Sequence, residues 1–357
     1  MTVQLRVVLG QAVHVVDPDE ARAERALTAG LIKTAPRGCG VSAIVPSGAD
    51  VDIPGLHDVR ILPLPRRELA AAWQMGIAAG AGGGLIHAAG LMAPLTRHDR
   101  VHDHDQTTVT LWDLRAWENP AALPKASVMS QRAMLKRAVK HADAVVVPSH
   151  AMASRLGEIA ALGDRIRVIA GAAPFGWRVP ENGSALRTKL QLPERYVVLT
   201  GDAESLASGF RAAANADVDA VVLGEGDGSE QVLRDAAAAV GLPGGRLHIH
   251  GHLEDEARAA VLGGARAVVA TSAARAWPWR LIEAMELGVP IVAVESGVHG
   301  DVIADGGAVV EAGALDAALV DAVGSGHERL RVLGADRARA FSWMSSGERL
   351  WALHAEL

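Results

Sequence analysis

Cysteine is nearly absent: Cys39 is the only one in 357 residues. That excludes an intramolecular disulfide framework and any Cys-only zinc site, and it fits a reducing compartment. Positive charge is in deficit, with 35 Lys and Arg against 41 Asp and Glu, a net −6 with histidine neutral. A mildly acidic chain makes a poor partner for nucleic acid, which needs a positive surface. Long apolar runs are also missing. The nearest approach, residues 70–96, has no Asp, Glu, Lys or Arg, but Gln74, His87, Pro94 and the triplet Gly82-Gly83-Gly84 interrupt it. No run of about 20 strongly apolar residues survives those breaks, so a helix, a turn and a buried strand are expected there. The opening MTVQLRVVLGQAV lacks the apolar core and small-residue cleavage site of a secretory signal and reads as a first strand. No basic amphipathic helix stands out.

What is present is alternation. Continuous β-branched runs at 5–10, 41–46, 59–65, 84–90, 108–113, 144–149 and 165–170 read as strands covered on both faces. Amphipathic stretches near 19–33, 67–79, 124–142 and 150–160 lie between them, as a parallel sheet with helical crossovers requires. The rhythm pauses over 171–193, where three prolines, three glycines and an Asn-Gly pair mark a linker. It then restarts, with strands near 196–201, 220–226, 246–251, 266–272, 290–296 and 307–313. At about 150 residues per domain, two doubly wound α/β domains fit the length. In such sheets ligands bind at the carboxyl ends of the strands.

The most informative segment is RLIEAMELGVPIVAVESGVHGDVI, residues 280–303. A helix carries Glu283, closes at Gly288 and Pro290, and feeds a strand. A helix N-terminus supplies positive potential and N–H donors for a nucleotide diphosphate. A carboxylate just inside it is placed to accept both hydroxyls of a ribose, although the same carboxylate also complements the dipole of its own helix. The segment resembles the nucleotide-sugar-binding region of retaining, GT-B-fold glycosyltransferases of family 4. Glu283-Ala284-Met285 and Gly288-Val289-Pro290-Ile291-Val292 match that pattern in order and spacing. AGLMAPL and TVTLWDL in the first half, HADAVVVPSHAMASRL, LGEGDGSEQ, HIHGHLEDEARAAVLGGARAVVATS and the terminal FSWMSSGERLWAL follow in the family's order.

The resemblance breaks at four places. Arg275, eight residues before Glu283, replaces a carboxylate that meets the donor hexose, and arginine accepts no hydrogen bond. Trp277, Pro278, Trp279 and Arg280 replace the Phe-Gly-Leu-Pro that follows, and Pro278 has no N–H to offer. After Gly201 the family's basic pair is missing; Asp202 and Glu204 stand there instead. Trp112 replaces the His of a His-Asp pair whose Asp113 remains, and the first loop, Leu9-Gly10-Gln11-Ala12, lacks a Gly-Gly turn. Two readings follow. Either Arg275 and Arg280 restore the lost charge, with Trp277 or Trp279 stacked on base or sugar or simply packed, or the chain keeps the fold and binds a nucleotide or a partner glycosyltransferase without catalysing transfer.

The resemblance implies two Rossmann-like doubly wound domains facing across a cleft: residues 1–175 for the acceptor, a linker at 176–193, residues 194–335 for the donor, and helices at 336–357 returning to the first domain. It implies transfer of a sugar from a nucleotide-sugar donor with retention, in the cytoplasm, in cell-envelope polysaccharide biosynthesis. The acceptor is a sugar or a lipid-linked sugar, which allows peripheral contact with the inner face of a membrane. The nucleotide sugar is substrate, and no metal or other cofactor is expected. The donor-binding residues so implied are Glu283, Arg280, Arg275, Trp279, Gly201 and Gly251. Asp113 and Trp112 are the candidates facing the reacting sugar. The glycine-rich turn at 224–228 has an acidic rim and the wrong spacing for a dinucleotide fingerprint.

Overall fold

The computed structural model describes residues 3–99, 101–224 and 230–357. Most of the turn at 224–228 lies outside them. The chain forms two compact units: Met1–Phe175 with Arg275–Trp277 and Ser342–Leu357, and Gly176–Ala274 with Pro278–Phe341.

The first unit runs β1 (Val3–Val8), α1 (Pro18–Lys33), β2 (Cys39–Val45), β3 (Val59–Ile61), α2 (Arg66–Gln74), β4 (Leu85–Ala88), β5 (Gln106–Thr110), α3 (Arg115–Glu118), α4 (Lys125–His141), β6 (Ala144–Val147), α5 (His150–Ile159) and β7 (Ile166–Val168). The second begins with α6 (Gly183–Lys189), β8 (Tyr196–Thr200), α7 (Leu206–Asn215), β9 (Asp219–Leu223), α8 (Glu230–Ala239), β10 (Leu247–His250) and α9 (Asp255–Gly264). It continues with β11 (Val268–Ala270), α10 (Trp279–Glu286), β12 (Ile291–Val294), α11 (Val298–Ile303), β13 (Ala308–Val310), α12 (Leu315–Val323) and α13 (His327–Ala338). The last helix, α14 (Trp343–Glu356), belongs to the first unit.

The strand orders are β3-β2-β1-β4-β5-β6-β7 and β10-β9-β8-β11-β12-β13, parallel at every described pairing. Every residue of β6 and β12 is buried, which is why these strands read as unbroken apolar runs. Both sheets reverse their strand order once, between β1 and β4 and between β8 and β11. Loops leaving those neighbours diverge, so each unit has one crevice at its carboxyl edge where a ligand can enter.

Local signals account for the helix ends. Asp17 caps α1 by accepting from the Asp19 and Glu20 N–H groups, and Pro18 opens the helix. Ser342 caps α14 through Met344 N. These two helices pack together at glycines: a Cβ on Gly30 would run into the Trp343 carbonyl, and one on Gly347 would sit 2.9 Å from the Gly30 carbonyl oxygen. The stretch at 176–193, expected as a linker, is instead packed into the second unit. Trp177 is buried there, and Arg187 donates to the Ala260 carbonyl of α9 at 3.2 Å.

A buried polar chain ties α14 to the first sheet. His354 Nδ1 lies 2.8 Å from Gln106 Oε1, and its Nε2 lies 3.1 Å from Thr108 Oγ1. Thr108 Oγ1 is 2.9 Å from His87 Nδ1, whose Nε2 is 3.3 Å from Thr110 Oγ1. Burial pushes His87 down to about 3, helped by His354, and His354 down to about 4. With both rings neutral, the donors run in one direction, from Thr110 through His87, Thr108 and His354 to the Gln106 carbonyl.

Candidate functional site

In the second unit the crevice between β8 and β11 is lined by short polar side chains. Asp202 accepts from Ser205 N at 2.9 Å and from Ser272 Oγ at 2.9 Å. Those bonds hold its carboxyl below the ordinary aspartate range although burial pulls the other way. Ser205 Oγ and Thr271 Oγ1 are 3.1 Å apart. Gly201 is required where the loop turns, since a Cβ there would collide with both hydroxyls. Gly251 is exposed just after β10.

Helix α10 opens after Pro278, with no side chain capping it. Glu283 is its fifth residue, so the carboxylate sits in the second turn rather than the opening one. It is almost fully buried and held by arginines. Arg258 Nε donates to Oε2 at 3.1 Å and Arg258 Nη2 to Oε1 at 2.9 Å. Arg280 Nη1 donates to Oε2 as well. A carboxylate has about four lone-pair positions, and three are taken. A ribose diol needs two, so Arg280, the more exposed of the two arginines, has to swing off Oε2 before Glu283 accepts one.

Arg258 is itself fixed from several directions. It bonds Asp255 at 3.0 Å and the Leu253 carbonyl at 3.3 Å, and it lies over the Trp177 ring, 4.9 Å from its centroid. The Trp177 indole donates to the Glu283 carbonyl at 3.0 Å. Sequence reasoning missed both residues. The available signal was Arg258 alone among apolar neighbours in DEARAAVLGG, since a cation inside an apolar face demands a buried anion. Trp177 gave no signal, because it lay in the segment read as a linker.

Of the other expected site residues, Trp279 opens α10 in the second unit, while Arg275, Trp112 and Asp113 belong to the first unit and are occupied by structural contacts. Arg275 pairs with Glu118 at 2.7 Å, and Glu118 also receives Arg155 at 2.8 Å. The backbone of 275–277 clips onto the segment after β5: Ala276 bridges Asp113 in antiparallel sense, Leu114 N donates to Arg275 O at 2.9 Å, and Trp277 N donates to Trp112 O at 2.8 Å. Trp112 is 4% exposed, donates its indole N–H to Ala89 O at 2.7 Å and meets Trp343 edge-on at 6.3 Å. It is a packing residue in this structure. Asp113 accepts from Arg115 N at 2.7 Å and Arg115 Nε at 2.6 Å. Trp277 is buried, while Trp279 is half-buried.

The crevice between β1 and β4 holds a cluster that the sequence reading treated only as a missing Gly-Gly. Gln11 organises it. Its N–H donates to Glu24 Oε2 at 3.0 Å, its amide nitrogen to Glu20 Oε2 at 2.9 Å, and its amide oxygen accepts from Val16 N and Asp17 N at 2.8 and 2.9 Å. Arg66 Nε donates to the Gly10 carbonyl at 2.8 Å. Burial, with Asp17, Glu24 and Asp113 nearby, pushes the Glu20 carboxyl up to about 8. Burial pushes Glu24 up to about 8 as well, against the Gln11 hydrogen bond and Arg66. Near neutral pH both are uncharged acids, able to donate to and accept from hydroxyls.

Two parallel α/β units, each with its crevice at the strand reversal, define the GT-B architecture. Residues 202–326, which contain the β8 loop and α10, match the family model described as Glycosyl transferases group 1. The whole chain resembles solved glycosyltransferases. Sucrose-phosphate synthase from Thermosynechococcus elongatus superposes with TM-score 0.71 at 19% identity, covering 99% of this chain and 98% of that one. Anabaena HepE in complex with UDP-glucose gives TM-score 0.69 at 15% identity over 99% and 100% of the two chains. WaaG, a glycosyltransferase involved in lipopolysaccharide biosynthesis, gives TM-score 0.65 at 13% identity over 97% and 98%. No curated protein sequence matches the chain at a significant level. Among the described residues no helix is long and apolar enough to cross a membrane.

Proposed function

We propose that this protein transfers a sugar from a nucleotide-sugar donor to a hydroxyl of a sugar or lipid-linked acceptor, with retention at the anomeric carbon. The observation that carries the reading is the arginine-held carboxylate of Glu283, inside the 202–326 stretch that matches the Glycosyl transferases group 1 model. The second unit takes the donor. Arg280 leaves Glu283 for the diphosphate, the freed Oε2 accepts from the ribose, and Arg258 keeps the carboxylate aligned throughout. Trp279, at the start of the same helix, flanks the base or sugar. Gly201 and Gly251 keep the sheet edge open to the nucleotide. The nucleotide sugar is substrate, and its negative charge is assigned to Arg280 and the N-terminal turn of α10 rather than to a metal.

The first unit takes the acceptor. Glu20 and Glu24, uncharged near neutral pH, bond acceptor hydroxyls without repelling a phosphate. Asp113 faces the reacting sugar once Arg115 moves aside. The complex of HepE with UDP-glucose and the part of WaaG in lipopolysaccharide biosynthesis support this assignment of substrate class. An acceptor of the cell envelope, elongated at the cytoplasmic face, is part of the same proposal.

The test is a thermal-shift series with free nucleotides and nucleotide sugars, followed by chromatography for released nucleoside diphosphate. A ligand bound only by the native state raises the melting temperature by mass action. One nucleotide class should do so, Glu283→Ala should abolish the shift, and the same donor should be consumed when acceptor is present. Binding without hydrolysis or transfer from any donor would leave a nucleotide-binding partner of another glycosyltransferase instead.

A further inference from the structure

Arg66 stands half-buried in the crevice between β1 and β4 with its charge unanswered. Its Nε donates to the Gly10 carbonyl at 2.8 Å, which anchors the side chain at the carboxyl edge of the sheet, close enough to Glu24 and Glu20 to feel both. Among the described residues nothing bonds its Nη1 or Nη2, and no carboxylate pairs with it. Other half-buried arginines of this chain are used fully. Terminal nitrogens of Arg115, Arg246 and Arg280 meet Asp113, Asp217 and Glu283, and Arg337 Nη2 donates to the Asp301 carbonyl at 3.0 Å. Arg66 is also the first residue of α2, where the helix dipole disfavours a cation.

The acids around it are committed elsewhere. Asp17 caps α1, Asp113 is held by Arg115, and Glu24 and Glu20 each give an oxygen to Gln11. Burial keeps Glu20 and Glu24 uncharged near neutral pH, so they offer Arg66 hydrogen bonding but no negative charge. Room is left beside them. A Cβ on Gly90, just after β4, would meet only Glu20 Oε2, at 3.6 Å. A cation drawn out of water costs stability until an anion meets it. The two terminal nitrogens of a guanidinium form a planar fork that fits an oxyanion through two parallel bonds.

We propose that Arg66 binds an oxyanion carried by the acceptor sugar, a phosphate or a carboxylate, while the hydroxyls of that sugar bond Glu20 and Glu24. The proposal rests on the first unit taking the acceptor, and adds that the acceptor is an anionic sugar. A neutral acceptor would close the crevice over an unanswered guanidinium, and an amine would be repelled by it.

The test titrates the full chain with sodium phosphate and with sodium acetate, following the melting temperature against chloride at equal ionic strength. A bound anion raises it by mass action. Phosphate also stabilises proteins by exclusion from their surface, so binding is the part of the rise that Arg66→Gln removes. That variant should weaken the bound anion roughly tenfold to a hundredfold, the worth of hydrogen bonds to a charged group, and its melting temperature in chloride shows that it folds. Arg66→Lys, which keeps the charge and loses the fork, should fall between it and the wild type. Whichever anion depends more on Arg66 names the group on the sugar. An Arg66→Gln variant as responsive as the wild type to both anions, or a response lost in Arg280→Ala instead, would overturn the proposal, the second by placing the anion at the donor site. A larger response in Glu24→Gln would overturn it too, because that carboxylate would then already be neutralising Arg66. An Arg66-dependent response in a chain that consumes no nucleotide sugar would sink the transfer reading and leave the anion site standing.

Discussion

Replacing Arg258 by Met tests the pairing at the centre of the second unit. The change keeps an unbranched side chain against Trp177 and removes the bonds to Glu283 at 3.1 and 2.9 Å. Removing one partner of a buried ion pair costs about 3–5 kcal/mol, because the other charge stays buried. Glu283 keeps Arg280, so the lower end, about 3 kcal/mol, is expected. The pair with half-exposed Asp255 adds next to nothing, as for other surface pairs. At about 2–4 °C per kcal/mol for a unit of this size, the melting point of the second unit falls by roughly 6–12 °C. Replacing Glu283 by Leu in the same chain should recover most of that loss, since exchanging a buried pair for apolar groups is close to neutral. Urea unfolding of the wild type, both single variants and the double variant gives the coupling directly. A single-variant loss within about 1 kcal/mol, or a double variant as unstable as Arg258→Met, would refute the claim that Arg258 holds the carboxylate in place.

Gly30→Ala should cost about 1–3 kcal/mol by forcing α1 and α14 apart, read as a lower urea midpoint for the first unit. Acid should weaken that unit. His87 and His354 have folded values below the ordinary 6.5, so their contribution is complete above 6.5 and is lost as pH falls toward 4 and then 3. Alkali should weaken it too. Glu20 and Glu24 have folded values raised from 4.5 to about 8, so their contribution is complete below 4.5 and is lost as pH rises through 8. Melting points across pH should therefore show a plateau between about 4.5 and 6.5, and Glu20→Gln with Glu24→Gln should flatten its alkaline side. Arg280→Ala should weaken a nucleoside diphosphate much more than the matching nucleoside in calorimetry; equal weakening would place the diphosphate elsewhere.

Much of the fold is legible in the chain because backbone chemistry is local. Unbroken Val, Ile and Ala runs such as 144–147 fit only strands covered on both faces, and Asp17-Pro18 and Ser342 mark helix starts by the bonds their side chains and rings make. The order of motifs pointed to the architecture for the same reason. The stretch at 176–193 was misread because proline and glycine frequency reports turns, not what a turn packs against. Trp177 and Arg187 make it part of the second unit.

Glu283 could be picked out by its place in α10, yet its environment could not. Arg258 is 25 positions away along the chain, and only the packing of α9 on α10 brings its guanidinium to the carboxylate. Arg275 read as spare positive charge until the fold set it against Glu118, and Trp112 read as a site residue until Ala89 and Trp343 enclosed it. The cluster around Gln11 arises in the same way, from a loop folding back on α1. The sequence by itself determined which segments become strands and helices, because hydrophobic periodicity and capping act over a few residues. The tertiary structure alone decided which charges are neutralised, because burial and ion pairing depend on groups that meet only when distant segments pack.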